Sequence, residues 1–193
     1  MKRIVLLPCV SLALIVGFAA GFRTALACEH TRLERNKALA RRAEEKVYSG
    51  RNSEAAIKVA REIFANDYVS HDWTGDSTGG LAGFEMGIAA NRADYPDWAE
   101  KVESMVAEGD LVAVRILSSG TQARDLAAVP HVQPAIPNKH RFVRFPEIEI
   151  FRISNGKLSE QWDISDGWDA NAQAGLFDPD HWPESVCGAA QKR

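Results

Sequence analysis

The sequence predicts an α+β fold, because helical spacing of apolar residues precedes residue 95 and strand-type alternation follows it. The 193 residues are 46% hydrophobic and 25% charged, a composition that is ordinary for a globular domain and sufficient to bury a core. No internal repeat or low-complexity linker divides the chain. We therefore expect one domain, with its helices first and an antiparallel sheet second.

Three helices are predicted in the first half. Residues 32–48 are rich in helix-forming Ala, Leu, Glu, Arg and Lys and end at a Ser-Gly pair. Asn52 or Ser53 can cap a second helix that runs to about Ala65. Residues 81–93 carry apolar side chains at helical spacing up to a Tyr-Pro-Asp stop. The predicted core face of the second helix comprises Ala56, Val59, Ala60 and Ile63.

Four strands are predicted in the second half, after a short extended piece at residues 67–71. Glu108-Gly109-Asp110 and Asn155-Gly156 are turn sequences, so the strands pair as two hairpins. Pro146 predicts an edge or a bulge, because proline cannot donate to a ladder of sheet hydrogen bonds. The strands cover residues 98–106, 111–118, 141–153 and 157–165.

The N-terminus has the pattern of a secretory signal peptide. Lys2 and Arg3 precede an apolar run over residues 4–20, and Ala25-Leu26-Ala27 places small residues at the −3 and −1 positions of a cleavage site. Cleavage after Ala27 would leave a mature domain over residues 28–193, with its core at about residues 35–177 and an extended C-terminal tail. We expect a periplasmic or extracellular protein; an uncleaved membrane anchor and a lipoprotein modified at Cys28 are the alternatives.

Charge and cysteine content bound the partners. Removing residues 1–27 takes away three basic residues and no acid, so the net charge changes from −3 to about −6. An acidic domain does not suit nucleic acid or an anionic membrane. Cys28 and Cys187 would remain in the mature chain, and in an oxidising compartment they form a disulfide or stay as two free thiols at the termini.

The order of helices, strands and short motifs resembles the SnoaL-like polyketide cyclases, a family in the nuclear transport factor two and ketosteroid isomerase superfamily. The resemblance covers most of residues 35–177. It rests on the order and spacing of several motifs, which are Tyr68-Val69-Ser70-His71-Asp72, Tyr95-Pro96-Asp97-Trp98, Val102 to Asp110, Val112-Ala113-Val114-Arg115, Gly120-Thr121, Ile150 to Ile153, Asn155 to Asp163 and Gln173-Ala174-Gly175-Leu176.

The resemblance implies a cone-shaped, curved, mostly antiparallel sheet packed on three N-terminal helices and enclosing one cavity. Two departures stand out. Gln122 follows Gly-Thr where the family often has His, and the family's Gly- and Pro-rich loop is replaced by a different sequence over residues 129–139. Because this superfold serves isomerases, hydrolases, dehydratases and non-catalytic binders, the fold alone does not assign a reaction.

Alternation places Gln161, Asp163 and Ser165 on one face of the last strand. The resemblance implies that the carboxylate of Asp163 works inside the cavity, where burial would raise its pKa and make it a usable general acid or base. The alternative is a structural Asp163 bonded to nearby backbone. Asp166 is a weaker candidate that suits a turn or a helix cap.

His71 is the second catalytic candidate, because the family opens this position onto the cavity and a neutral imidazole can accept or donate a proton. A His satisfied by local contacts is the alternative. Arg115 interrupts an apolar strand and needs a partner, either Asp163 or Glu149 across the sheet or a substrate anion. The candidate substrate-binding residues are Tyr68, Trp73, Arg115, Gln161 and Phe84.

Other chemistries lack their motifs. The His residues have no metal-ligand spacing, and there is no dinucleotide fingerprint, P-loop or serine nucleophile elbow. We therefore expect no cofactor and no metal. The function classes that remain are a cyclase or isomerase acting on a small hydrophobic carbonyl compound, a non-catalytic binder of a small hydrophobic ligand, and a hydrolase or dehydratase. We also expect a homodimer through the outer face of the sheet, using Val102, Val114 or Val106 and the strand from Phe142 to Phe151.

Overall fold

The fold is a curved, open, mixed sheet covered on one face by helices. The computed structural model describes residues 10–49, 51–72, 75–76, 79–129 and 134–178, and for residues 10–26, 72, 75 and 76 it describes the backbone alone. The predicted α+β class is thus confirmed. The expected leader, its cleavage and the site of export stay predictions.

The helical layer comes first along the chain. Helix α1 spans Val10–Ala43 and continues into a π-helical turn, Glu44–Tyr48. Helix α2 spans Ser53–Ile63, and the side chain of Asn52 caps it by accepting a hydrogen bond from the backbone N–H of Ala55. Helix α3 spans Gly80–Asp94. A short fourth helix, α4, spans Gly167–Ala174. None of the helices in the described part of the chain is long and apolar enough to cross a membrane.

The sheet contains five long strands and one short one. They are β1 Phe64–Asp72, β2 Gly75–Asp76, β3 Ala99–Glu108, β4 Leu111–Thr121, β5 Phe142–Ser154 and β6 Lys157–Ser165. Their spatial order is β2-β1-β6-β5-β4-β3. All neighbours are antiparallel except β1 and β6, which are parallel because the chain crosses from one side of the sheet to the other between them.

The β5–β6 turn matches the sequence prediction closely. Asn155 and Gly156 both have positive φ, 51° and 75°, the pattern of a type I′ hairpin turn. The turn sets the first pairs of this hairpin, and a register shift between Arg152 and Ile153 then places Glu149 opposite Asp163.

Pro146 does not mark an edge strand, since β5 is paired on both sides. It lies opposite Leu117 of β4, in a stretch of that ladder without a register shift. Its carbonyl, which points to the β6 side, accepts only a long 3.4 Å hydrogen bond from the N–H of Asp166, beyond the last β6 pair. The missing N–H of Pro146 therefore costs no ladder hydrogen bond, which corrects the expectation of an edge or a bulge.

The core lies between the helices and the concave face of the sheet. Its main cluster joins the predicted face of α2 to inward residues of β1, β4, β5 and β6; the largest side chains are Phe64, Tyr68, Ile116, Phe151 and Leu158. A second cluster, around Trp98, Ile136 and Phe145, packs under the loop between β4 and β5. Between the two clusters the inner face stays open as a cavity.

Candidate active site

A cavity of about 550 Å³ opens between α3 and the inner face of the sheet. Helix α3 forms one wall with Phe84, Ile88 and Arg92, and the strands form the other. Leu126, Ala127 and Val129 of the β4–β5 loop and the first turns of α4 complete the rim. A cavity of this size holds a small organic molecule.

Four carboxyl groups on three strands line the sheet side of this cavity. They are Glu100 of β3, Glu147 and Glu149 of β5, and Asp163 of β6. The strand register brings them together, because Glu149 pairs directly with Asp163 and Glu147 is the next inward residue of β5. One oxygen each of Glu147, Glu149 and Asp163 lies within 4.8 Å of the others.

A fifth carboxyl group approaches from the helical layer. Glu44 begins the π-helical turn and is completely buried, and one of its oxygens lies within 4.8 Å of an oxygen of Glu100 and one of Glu149. Single turns of π-helix often occur at functional sites. Here the turn accompanies a carboxyl group directed at the sheet. We call these five residues, Glu44, Glu100, Glu147, Glu149 and Asp163, the carboxyl cluster.

Burial holds much of the cluster in the protonated form. Removal from water, together with the charge of the neighbouring carboxylates, raises the pKa of Glu44 to about 10 and that of Glu147 to about 9. The pKa of Glu149 is raised well above its usual value by burial and by the charge of Glu44. Burial also raises the pKa of Glu100, to about 7, against the hydrogen bond that Trp98 Nε1 donates over 2.8 Å.

Proton sharing explains an otherwise costly arrangement. Buried oxygens of Glu44, Glu147 and Glu149 have no hydrogen-bond donor when all the carboxyls are ionised. A proton on one member lets it donate to the next, which both removes charge and supplies the missing hydrogen bond. The cluster therefore contains both carboxylic acids, which donate hydrogen bonds, and carboxylates, which accept them.

Two tyrosines and an amide form the polar end of the cavity. The Tyr48 hydroxyl donates to Gln161 Oε1 over 2.6 Å, and the buried Tyr68 hydroxyl donates to the same oxygen. Burial raises the pKa of both phenols well above the usual value, so both remain hydroxyl donors. Gln161 and Tyr48 line the cavity, whereas Tyr68 supports Gln161 from behind.

Two of the sequence motifs meet at the cavity wall. The Asp97 carboxylate accepts hydrogen bonds from the Thr121 N–H and hydroxyl, at 2.6 and 2.8 Å. Gly120 lies against Trp98 and Tyr95, where a Cβ atom would come within 2.9 Å of the indole. The Tyr-Pro-Asp-Trp and Gly-Thr sequences thus hold Trp98, which lines the cavity and binds Glu100.

Comparisons with known proteins agree with this architecture. A family model described as SnoaL-like polyketide cyclase matches residues 38–174. The chain belongs to the SnoaL-like polyketide cyclase family. The match covers most of the chain, including every strand that contributes to the carboxyl cluster.

Solved structures of the same fold come from several bacteria. AclR from Streptomyces galilaeus is 21% identical over 83% of this chain and 92% of its own, with a TM-score of 0.61. A SnoaL-like protein from Jannaschia sp. CCS1 is 18% identical over 74% and 94%, with a TM-score of 0.62. IdmH from Streptomyces antibioticus is 27% identical over 69% and 96%, with a TM-score of 0.55. No curated protein matches this chain.

The structure brings some of the predicted site residues of this family member to the cavity. Asp163, Gln161 and Phe84 line it, and Gln161, Asp163 and Ser165 share the inner face of β6 as alternation predicts. Asp166 caps α4 by accepting a hydrogen bond from the Asp169 N–H. Trp73, a predicted substrate-binding residue, lies outside the described residues.

His71 does not reach the cavity. Its Nε2 atom lies 2.9 Å from Glu160 Oε1, and its ring stacks on Trp162 at 5.4 Å. Glu160 and Trp162 occupy the outer face of β6, and β1 alternates in the same way, with Ser70 lining the cavity and His71 on the outer face. The expectation that His71 opens onto the cavity is not met, because it is one residue out of phase with the inner face.

Arg115 is also on the outer face. Its guanidinium pairs with Glu103 of β3 and is 57% exposed. The expected pairing with Asp163 or Glu149 is therefore wrong, because those carboxyls lie on the opposite face of the sheet. Among the described residues that line the cavity, the one basic side chain is that of Arg92 on α3. Sequence analysis did not identify this residue as a candidate.

Four carboxyls of the cluster, Glu44, Glu100, Glu147 and Glu149, were missed as site residues, although β5 carried a signal for two of them. Val143, Phe145 and Phe151 alternate on the inner face of β5, and Glu147 and Glu149 fall in the same phase. Two acids on a core-facing row are unusual enough to indicate a site. Glu44 carried no such signal, because its direction depends on the π-helical turn.

Cys28 is exposed on α1, and Cys187 lies outside the described residues. Their disulfide therefore stays a prediction.

Proposed function

We propose that this protein is an exported acid/base catalyst, a cofactor-independent cyclase or isomerase that acts on a small hydrophobic carbonyl compound. The observation that carries the proposal is Asp163, which lines an apolar cavity opposite Glu149 and beside Glu147. A carboxylate beside carboxylic acids in one cavity supplies both a base and a proton donor.

The chemistry uses two carboxyls at once. The Asp163 carboxylate removes a proton from the carbon next to a carbonyl group, and protonated Glu149 or Glu147 donates a hydrogen bond to the carbonyl oxygen, where the negative charge develops. In an isomerase the proton returns to another carbon. In a cyclase the new carbanion attacks a second carbonyl of the same molecule, one C–C bond forms, and the alkoxide takes a proton from a carboxylic acid. Neither route consumes another reactant.

Proton exchange on a simple ketone tests the proposal. The protein is incubated with 2-tetralone in D2O, and loss of the proton at the carbon next to the carbonyl is followed by NMR. Asp163→Asn is expected to slow the exchange by about a hundredfold to ten-thousandfold, whereas Asp166→Asn, which alters only a helix cap, is expected to keep it. Exchange by the unaltered protein no faster than in acetate buffer would contradict catalysis.

One observation favours a second candidate, a non-catalytic binder of a small hydrophobic ligand. Gln122 stands where the family often has His, and it is fully buried outside the cavity. Its amide donates to the carbonyls of Ile136 and Pro137 and accepts from the Lys139 N–H, so it ties down the β4–β5 loop. A hydrolase or dehydratase would use Asp163 in the same cavity on a different bond.

Export is proposed from the leader sequence at residues 1–27. The intact mass of protein from a secreting host tests it. A mass beginning at Cys28 is expected; retention of residues 1–27 would contradict cleavage, and an added lipid mass would identify the lipoprotein alternative.

A further inference from the structure

The charges around the cavity are strongly unbalanced. Among the described residues that line it, five are acids and one is a base, Arg92. Asp94 at the rim is neutralised by a salt bridge to Arg124. Arg92 donates to the Val47 carbonyl over 3.1 Å and to the Asn91 amide oxygen over 2.8 Å, so part of its donor capacity is used within the protein. The acids that remain are Glu100, Glu147, Glu149 and Asp163.

Two of the acids that line the cavity are themselves almost fully buried. Glu147 and Glu149 are 6% and 2% exposed, and within the described part of the chain Glu147 Oε1 and Glu149 Oε2 meet no hydrogen-bond donor other than a shared carboxyl proton. Protons shared within the cluster satisfy these oxygens in the empty cavity, and a bound N–H donor can take the place of those protons. Such oxygens attract a ligand that brings its own N–H groups.

Aromatic rings form much of the apolar wall of the cavity. Tyr48, Phe84, Tyr95, Trp98 and Phe145 line the same cavity, and the Trp98 indole is tied to Glu100. Ring faces attract cations, most strongly those of Trp, and carboxylates neutralise them. A small amine with an ammonium group and a hydrocarbon body is favoured in such a site, because the carboxyls attract the ammonium and the rings contact the hydrocarbon.

We propose that the cavity selects an organic cation, a small apolar amine whose ammonium group lies on the carboxyl cluster and whose hydrocarbon body lies against the aromatic walls. This inference deepens the proposed function, because it rests on use of the same cavity for a small ligand and names the class of that ligand. A substrate of this class carries a protonated amine as well as the reacting carbonyl. A single metal ion would leave the aromatic walls and most of the 550 Å³ unoccupied.

Binding of the cation is coupled to proton release. The charged and titratable groups that line the cavity or contact its carboxyls are Glu44 and Tyr48 of the π-helical turn, Arg92 and Asp94 of α3, Tyr95 after it, Glu100 of β3, Glu147 and Glu149 of β5, and Asp163 of β6. Tyr68 of β1 lies behind Gln161. An ammonium stabilises the ionised carboxyls, so it displaces protons from the cluster. Affinity for an amine is therefore expected to rise between pH 6 and pH 8, where the amine itself stays protonated.

A matched pair of probes tests the inference. Calorimetry compares 2-phenylethylamine with 2-phenylethanol, which has the same body without the charge. We expect the amine to bind at least about tenfold more tightly, with proton release measured as a dependence of the binding enthalpy on the buffer. Glu149→Gln is expected to remove most of the preference for the amine over the alcohol. Glu103→Gln, on the outer face, is the control.

The results separate this inference from the proposed function. Equal binding of alcohol and amine, or stabilisation by calcium or magnesium ions with none by the amine, would overturn the inference. Should Glu149→Gln fail to fold, the two-probe comparison on the unaltered protein still decides. Amine preference without proton exchange on 2-tetralone would contradict only the catalysis, and exchange without amine preference would contradict only the ligand class.

Discussion

Glu149 of β5 and Asp163 of β6 are directly paired residues on the cavity face of the sheet, and their carboxyl oxygens lie within 4.8 Å of each other and of Glu147. Like charges at this separation in an apolar site cannot all ionise at neutral pH. Bringing these carboxyls together forms the site but lowers the stability of the fold. The loss of stability depends on pH, because pH sets how many of the carboxyls are ionised.

Stability is expected to fall as pH rises. The pKa of Glu147 is about 9 in the folded protein and about 4.3 in an unfolded chain. Between these values the folded state binds more protons than the unfolded state, so the free energy of unfolding decreases with pH. Glu147→Gln is expected to raise the melting temperature at pH 8 and to remove up to about 1.4 kcal/mol per pH unit from this slope.

Urea unfolding from pH 5 to pH 9 measures the slope. Glu103→Gln, which removes an acid from the outer face, is expected to keep it. A free energy of unfolding that stays constant or rises over this range would contradict protonation of the cluster.

The sequence predicted the elements better than the site. Turn and cap residues act locally, so Asn155-Gly156 and Asn52 placed a hairpin and a helix start correctly. Alternation grouped Gln161, Asp163 and Ser165 on one face of β6, and the family resemblance assigned that face to the cavity. Membership of the carboxyl cluster, by contrast, depends on the register of three strands and on the π-helical turn that carries Glu44. These are tertiary relationships, which is why Arg115 and His71 were assigned to the wrong face.

Two glycines are expected to respond oppositely to alanine. Gly120→Ala would place a Cβ atom 2.9 Å from the Trp98 indole and 3.1 Å from Tyr95, so we expect a loss of about 1–3 kcal/mol. Gly87 lies within α3 with no atom within 4 Å of a new Cβ, so Gly87→Ala should stabilise the helix by about 0.5–1 kcal/mol. Chemical denaturation of both variants checks this; a neutral Gly120→Ala would show that Trp98 can shift freely.

His71 is expected to be dispensable for ligand binding. Its imidazole contacts Glu160 and Trp162 on the outer face, away from the carboxyl cluster. His71→Gln should therefore leave amine affinity and proton exchange within about twofold of the unaltered protein, since only a partly exposed contact is changed. Both assays apply, with Asp163→Asn as the positive control. A loss in His71→Gln comparable to that in Asp163→Asn would return His71 to the site.

The outer face of the sheet is expected to form a homodimer. Val114, one of the residues expected at this interface, is buried under the helices instead, and Val102 packs partly against the core. The exposed apolar residues on the outer face are Val106, Phe142, Ile148 and Ile164, and the last two are paired neighbours on β5 and β6.

A lysine at Ile164 tests this interface. Ile164 is 75% exposed, so Ile164→Lys should leave the subunit folded while placing a charge in the apolar contact. We expect light scattering at micromolar concentration to change from dimer to monomer, with the melting temperature of the subunit nearly unchanged at high dilution. Met86→Lys, at an equally exposed position on α3, is the control and should remain dimeric. If the unaltered protein scatters as a monomer, the outer face is not an interface between copies of this chain.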